Sequence, residues 1–588
     1  MNTFLTGKVK TEVNVLKTLS KHEQSATASR KEEVKRGLAK LGIQCDADKV
    51  PNIAVLGSGG GLRAMIALYG TLVELKKCNL LDCVMYLLGV SGSTWCMSSI
   101  YKTEDWANKI EILEKNQSEK LVQGQWNLIK AKKAVLEAAR EENYSLTDFW
   151  SYFIVYKMLK ELDESKLSDQ KRACENGKNP YPLYAAVDKH TYSGHQEGSW
   201  FEFNPFGAGA PGTAGEPGTT AYVDIKQFGS IFDHGQLSEE RKERNVCYLQ
   251  GLWGSALASE QEIKKAVIGA LLDLLKQDRE EYFSSSSSSP QDLVYRNLNM
   301  LSLIYQYILE LQLCALDVTA AKAEGFFDLL ENLLKVHKTG KSYGVLKEMR
   351  QNWSSGDIKT REEACRKLWE ALDKDFGVLE PVEKYLVTPP YSPFQPIKDW
   401  IRHIHKTNSN ILTWTWGSTS NFLQNCPGVE VPELKTKQIV SLIDAGLAIN
   451  TAYPLALHPD RKVKLILSFD FSAGDPFETV KKAAEYCKIR GIKFPRINER
   501  ELQDKDNPSN CYIFRADDLT VMHFPLFNIV NCQDKIAEYH QTFSTFKLHY
   551  SDEEIEKLLT AAKNNVITVQ QKILEEIKHI VGTQSQQA

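Results

Sequence analysis

The 588-residue chain carries 72 Lys and Arg against 75 Asp and Glu, a net charge of −3 that lacks the basic excess of a nucleic-acid binder. With 42% hydrophobic, 10% aromatic and 25% charged residues, most of it is expected to fold, and its length allows about two to four domains. Twelve cysteines without a CxxC pair read as reduced thiols rather than a disulfide framework or a zinc site. No apolar run reaches the roughly 18 residues of a membrane span. The first residues, MNTFLTGKVKTEVNVLKTLSKHEQ, have no continuous apolar core, so a secretory signal is not expected and the setting is cytosolic. That makes the sequon at Asn143 a chance match.

From about residue 26 to 42, Val34, Leu38 and Leu41 fall at helical spacing, and PNIAVLG then reads as a buried strand. After the glycines of GSGGG, LRAMIALYGTLVELKKCNLL is built of helix formers. The run VMYLLGV is a second strand, and SGSTWCMSSIY opens another helix. A βαβ crossover needs about 30 residues, and Gly60 to Ser91 supplies them, so the two glycine-bearing turns are expected at adjacent strand ends. The character changes from about 235 to 435 to charged helical segments, an apparent insertion broken by a serine-rich stretch, 284–290, expected to be mobile. Within it Val294, Leu298, Leu301, Ile304, Ile308 and Leu311 share one helical face, the face of a core helix or of a lid that meets lipid. Two more apolar strands, KQIVSLIDAG and VKLILSFDFS, come late, and the tail reads as one or two packed amphipathic helices.

The first glycine turn, VLGSGGGLRAM, fits neither nucleotide fingerprint. A dinucleotide motif starting at Gly57 requires glycine where Leu62 stands, and the Gly-Lys-Ser/Thr of a P-loop is absent. What remains is a strand running into a helix whose free N–H groups favour negative charge. Such a turn suits a bound anion, the transient oxyanion of ester hydrolysis, or close packing alone. The second turn, Gly89-Val90-Ser91-Gly92-Ser93, is a nucleophile elbow except that its fifth residue is serine; Ser91 is then a nucleophile or a plain helix N-cap. Asp444 ends an apolar strand before a small-residue turn, as a proton acceptor for the serine or as a turn cap. A third member, His458 or His523, would complete a triad, but neither sits in a distinctive motif, so a Ser/Asp dyad ranks first.

Four motifs in order, GSGGGLRAM, GVSGSTW, LIDAGLAINTAYPL and SFDFSAGDPFETV, resemble the catalytic domain of the cytosolic (group IV) phospholipase A2 family, most like its gamma form. ENYSLTDFW, SWFEFNPFGAG, LQGLWGSAL and WTWGSTSNFL extend the similarity over most of the chain. The resemblance implies an α/β fold, a central mostly parallel sheet flanked by helices, forming one catalytic domain, 1–588, with a helical lid or cap insertion at about 235–435. It implies Ser91 as nucleophile, Asp444 as its base, and the amides of Gly60 and Gly61 as the oxyanion hole. Arg63, and by spacing Arg461, would meet the lipid phosphate. The implied reaction is cleavage of the sn-2 ester of glycerophospholipids, with lysophospholipids also deacylated, through an acyl-enzyme.

A free carboxylate, with pKa about 3.9, is a poor base near neutrality, so desolvation of Asp444 or a short bond to Ser91 is expected to compensate. About 50 residues precede the first core strand, too few for the calcium-binding β-sandwich with which better-known members begin. DKDNP at Asp504 lacks the glycine of an EF-hand loop. No cofactor, metal or calcium requirement is therefore expected. The last residues, TQSQQA, carry no prenylation box. The expected partner is a phospholipid surface, reached peripherally on intracellular membranes. Two other readings compete: a Ser/Asp/His esterase on soluble esters, and a non-catalytic lipid-binding scaffold.

Overall fold

The computed structural model describes residues 12–194, 199–284, 292–317, 322–335, 340–376 and 395–586. Of the serine-rich stretch only Ser284 lies among them. The described chain divides into two compact units. One is built on a sheet and takes its residues from Met1–Trp126, Val155–Leu257 and Gly417–Ala588; the other is helical and comprises Asn127–Ile154 and Ala258–Trp416.

The strands are β1 (Asn14–Leu16), β2 (Asn52–Gly57), β3 (Tyr86–Gly89), β4 (Tyr181–Asp188), β5 (Trp200–Phe203), β6 (Gly207–Pro211) and β7 (Thr220–Asp224). They continue with β8 (Ile231–Asp233), β9 (Gln236–Glu239), β10 (Ser418–Ser420), β11 (Ile439–Asp444), β12 (Val463–Asp470), β13 (Tyr512–Arg515) and β14 (Thr520–Pro525). Among the described residues all but the β8–β9 pair form one sheet, in the order β1-β7-β6-β5-β4-β3-β2-β12-β14-β13, with β11 on β4 and β10 on β11. Its centre, β14-β12-β2-β3-β4, is parallel, and antiparallel strands extend it on both sides. Strands buried on both faces need no polar alternation, which is why residues 53–57 of β2, all of β3 and the LIL stretch of β12 read as apolar runs.

Three helices of this unit matter for the site: α1 (Lys21–Lys40), α2 (Gly61–Lys77) and α3 (Gly92–Ile100). Helix α2 is apolar nearly all round because it is enclosed. The tail forms one helix, Asp552–Gln586, which reaches α2 where Gly70 lies against Leu559 and Ala562.

Strand register explains how distant segments meet. Gly57 pairs with Gly89 at the carboxyl ends of β2 and β3, so the two glycine-bearing turns leave the sheet side by side. Gly89 also pairs with Tyr184 of β4. Strand β5 occupies the other edge of β4 along its whole second half. Strand β11 therefore takes the edge that β3 has left, running the opposite way and ending with Asp444 opposite Ala186. The ends of β3 and β11 thus approach head to head on one edge of β4, two residues apart, or about 7 Å.

The helical unit packs Leu128–Ala138, Glu260–Phe283, Asp292–Ala315, Lys341–Asn352, Ile358–Phe376 and Gln395–Thr413. On Asp292–Ala315, Ile304, Ile308 and Leu311 are buried while Leu298 and Leu301 are half-buried, so its second half is core. The unit also takes in a segment from outside the expected insertion. Asn127–Ile154 is held to it by Leu146 N–H donating to the Thr415 carbonyl (3.0 Å) and by a Tyr144–Thr407 hydroxyl pair (2.7 Å).

Candidate active site

Ser91 occupies the bend between β3 and α3 with φ 52° and ψ −123°, a conformation that costs a non-glycine residue about 1–3 kcal/mol. The surroundings enforce it. The Ser91 carbonyl accepts from Thr94 N–H (2.9 Å) and from the Thr94 hydroxyl, and Ser93 Oγ donates to the Ser58 carbonyl (2.6 Å), tying the elbow to the glycine turn. A Cβ on Gly92 would lie 2.0 Å from the Gly61 carbonyl oxygen, so only glycine lets the two backbones touch. Ser91 stands at the N-cap position of α3, yet its side chain makes no capping bond. The hydroxyl instead shares a cavity with the Asp444 carboxyl and lies near enough to help hold its pKa down.

Asp444 arrives from β11 and is 1% exposed. Its Oδ1 accepts from Gly446 N–H (2.8 Å), capping the turn Ala445–Leu447, and its Oδ2 accepts from Ala256 N–H (3.2 Å). Turn cap and serine partner are therefore one residue. Burial drives its pKa up to about 6 against the hydrogen bonds from Gly446, Ser91 and Ala256, which hold it down. The carboxyl is thus poised close to neutrality.

Both groups line a cavity of about 160 Å³ together with Gly59, Gly60 and Arg63. Gly60 has φ 153°, and a Cβ there would meet Arg63 Nη2 and the Phe471 carbonyl. Gly61, with φ 59°, begins α2, its backbone against Gly92 and Thr545. Among the described residues the N–H groups of Gly60 and Gly61 have no hydrogen-bond acceptor. They are the orphan donors of a helix start; Gly60 lines the cavity beside Ser91, and Gly61 follows it without lining the cavity itself.

Arg63 is 1% exposed and donates to three neutral oxygens: the carbonyls of Phe471 (2.8 Å) and Phe543 (2.7 Å), and Thr545 Oγ1 (3.1 Å). Among the described residues no carboxylate makes an ion pair with it at the cavity wall; burial lowers its pKa, partly offset by Tyr550 and Asp470.

Arg461 corrects the spacing argument. It is also 1% exposed, but it does not line the cavity. Its guanidinium donates to Glu23 of α1 (2.8 Å), to Glu202 of β5 (2.9 Å) and to the Leu455 carbonyl (2.7 Å). Two buried carboxylates neutralise it, leaving no charge for a substrate. The spacing gave no sign of these partners, which lie on α1 and β5 far from it in the chain.

Neither histidine lines the cavity that holds Ser91 and Asp444. His458 accepts from Asp460 N–H (3.2 Å), and burial depresses its pKa to about 4. His523 is fully buried on β14 with Nε2 2.5 Å from the Pro476 carbonyl and 3.6 Å from Asp470. A residue the motif reading passed over, Asn450, does line the cavity. Its only sequence signal was its place six residues after Asp444 in DAGLAIN. The larger cavity, about 930 Å³, lies within the helical unit and holds none of the expected site residues.

Comparison with known proteins bears on the family and the fold. A family model described as a lysophospholipase catalytic domain matches residues 53–295. Human cytosolic phospholipase A2 gamma is 36% identical over 585 residues, covering 97% of each chain, and the mouse gamma protein is 36% identical over 96% of this chain and 92% of its own. Among solved structures, human GIVD cytosolic phospholipase A2 superposes with a TM-score of 0.63 over 98% of this chain and 69% of that one, at 22% identity, a likeness of fold. The same enzyme in complex with methyl gamma-linolenyl fluorophosphonate gives a TM-score of 0.59 at 22% identity, over 97% of this chain and 66% of that one. Similarity that runs from end to end at this level, on a shared fold, makes the chain a member of the cytosolic phospholipase A2 family.

Proposed function

We propose that the chain hydrolyses the sn-2 ester of glycerophospholipids, and lysophospholipids as well, through a Ser91/Asp444 dyad. The observation that carries the reading is the meeting of Ser91 with a buried carboxyl poised near neutrality in one small cavity, beside the glycine turn whose Gly60 and Gly61 amides have no acceptor among the described residues. Asp444 takes the hydroxyl proton as Oγ attacks the acyl carbonyl. The oxyanion is received by the N–H groups of Gly60 and Gly61, the C–O bond breaks, and lysophospholipid leaves with the proton returned from Asp444. Water, deprotonated by the same carboxylate, then releases the fatty acid. Arg63 takes the phosphate, which supplies the negative charge that its neutral partners do not.

The cavity is roughly five times the ~30 Å³ share of a liquid water, room for an ester group and the first carbons of its chain. A membrane surface supplies the substrate. Among the described residues no helix is long and apolar enough to cross a bilayer; peripheral contact from the cytoplasm is the reading that the relatives' cytosolic names support. The reading of the helical unit as a cap insertion rests on chain topology, since the chain leaves the sheet unit twice to build it.

The test is purified protein on vesicles of phospholipid labelled separately at sn-1 and sn-2. Wild type should release sn-2 label equally with and without a calcium chelator; Ser91→Ala and Asp444→Ala should release none. Arg63→Gln should raise KM for phospholipid while sparing a phosphate-free ester. Full activity in Ser91→Ala would refute the dyad, and loss in His458→Ala equal to that in Asp444→Ala would favour a triad on soluble esters.

A further inference from the structure

Asn450 makes contacts that the proposed chemistry has not used. Its Nδ2 donates to the Gly59 carbonyl (3.0 Å), and its own carbonyl accepts from Gly59 N–H (3.2 Å), so the Gly59 residue is gripped at both of its polar atoms. The second hydrogen of Nδ2 goes to Ser472 Oγ (2.8 Å). Ser472 spends its only proton on Asp470 Oδ1, and therefore meets Asn450 as an acceptor. Both partners of Nδ2 accept, which settles the orientation of the amide. Its oxygen is left facing Gly59 and Gly446, where an added Cβ would lie 2.5 Å and 2.7 Å from Oδ1. Glycine at both positions leaves the space that Oδ1 fills.

We propose that Asn450 is a positioning residue of the glycine turn, holding the Gly59 peptide so that the N–H groups of Gly60 and Gly61 stay directed at the reacting carbonyl. The inference rests on the dyad reading above. Gly60 needs the clamp because its φ of 153° is a conformation that glycine leaves easily. The clamp also comes from the turn that carries Asp444, so base and oxyanion donors are set by one segment. Ser472 and Asp470 brace it from the end of β12.

Substituting Asn450 should misplace the donors without removing any group that binds the substrate. A displacement near 1 Å costs about 10- to 100-fold in rate. The experiment measures kcat and KM on a soluble p-nitrophenyl ester, with the rate of fluorophosphonate labelling and thermal unfolding, for wild type, Ser91→Ala, Asn450→Ala, Asn450→Asp and Ser472→Ala. Asn450→Ala should lower kcat and the labelling rate together by about 10- to 100-fold, with KM changed less than about threefold. Asn450→Asp keeps the shape but loses both donors, and should not restore the rate. Ser472→Ala should cost about three- to tenfold alone and add little to Asn450→Ala; it carries the test if the Asn450 variants do not fold. Wild-type kcat in Asn450→Ala or in Asn450→Asp, a loss confined to KM, or an unchanged rate in Ser472→Ala would overturn the proposal. An inactive wild type or an active Ser91→Ala would instead overturn the dyad reading, and this inference with it.

Discussion

The proposed base titrates where it is easily watched. Burial holds Asp444 at about 6, and only its ionised form can take the Ser91 proton. The ionised fraction is then about 0.9 at pH 7, about 0.5 at pH 6 and about 0.1 at pH 5, so kcat/KM should fall about tenfold from pH 7 to pH 5, on a single limb. An unperturbed aspartate, near 3.9, would leave that range flat. A base at His458, pushed to about 4, would do the same. The assay is kcat/KM on a water-soluble ester from pH 4.5 to 8.5 at constant ionic strength, which keeps vesicle titration out of the profile. A limb at or below pH 4.5, or none, would refute the argument that desolvation tunes this carboxyl. The same shift acts on stability. Because the folded pKa is raised, stability is fully present below about pH 4 and is lost as pH rises through 6, by about 3 kcal/mol from this group.

Two substitutions probe the surroundings. Arg461→Leu leaves Glu23 and Glu202 buried without their cation and should cost about 3–5 kcal/mol in urea unfolding. KM for phospholipid should stay within about threefold of wild type, and a rise above tenfold would return Arg461 to the substrate. Gly92→Ala forces a Cβ onto the Gly61 carbonyl and should lower kcat on the order of 100-fold through separation of the two turns; wild-type kcat would show that the contact yields without consequence.

Much of the sheet's centre was legible in the chain because buried parallel strands and the helices between them have local signatures. IAVLG before a serine and three glycines and YLLG before a serine turn each announce a strand, a bend and the start of a helix. The antiparallel flank was less legible. Strands β5 to β7, with sequences WFEF, GAGAP and TAYVD, are only four or five residues long, and their pairing is decided by neighbours rather than by period. The approach of β11 against the direction of β3 was not readable either, since strand direction leaves no mark in an apolar run. Arg461 shows the general limit. A buried arginine and a ligand-binding one look alike in sequence, and only its carboxylate partners, each supplied by a remote element, distinguish them. Asn450 was passed over for the opposite reason: its work is done on backbone atoms, which carry no side-chain signature.

The head-to-head meeting of β3 and β11 sets an order on biogenesis. Ser91 and Asp444 are about 350 residues apart in the chain, so a ribosome exposes the hydroxyl long before it has made the carboxylate. On the proposed dyad, the nascent polypeptide carries throughout that interval a nucleophile without a base. Under that proposal ester hydrolysis waits until the C-terminal part of the chain has been made and added to the sheet.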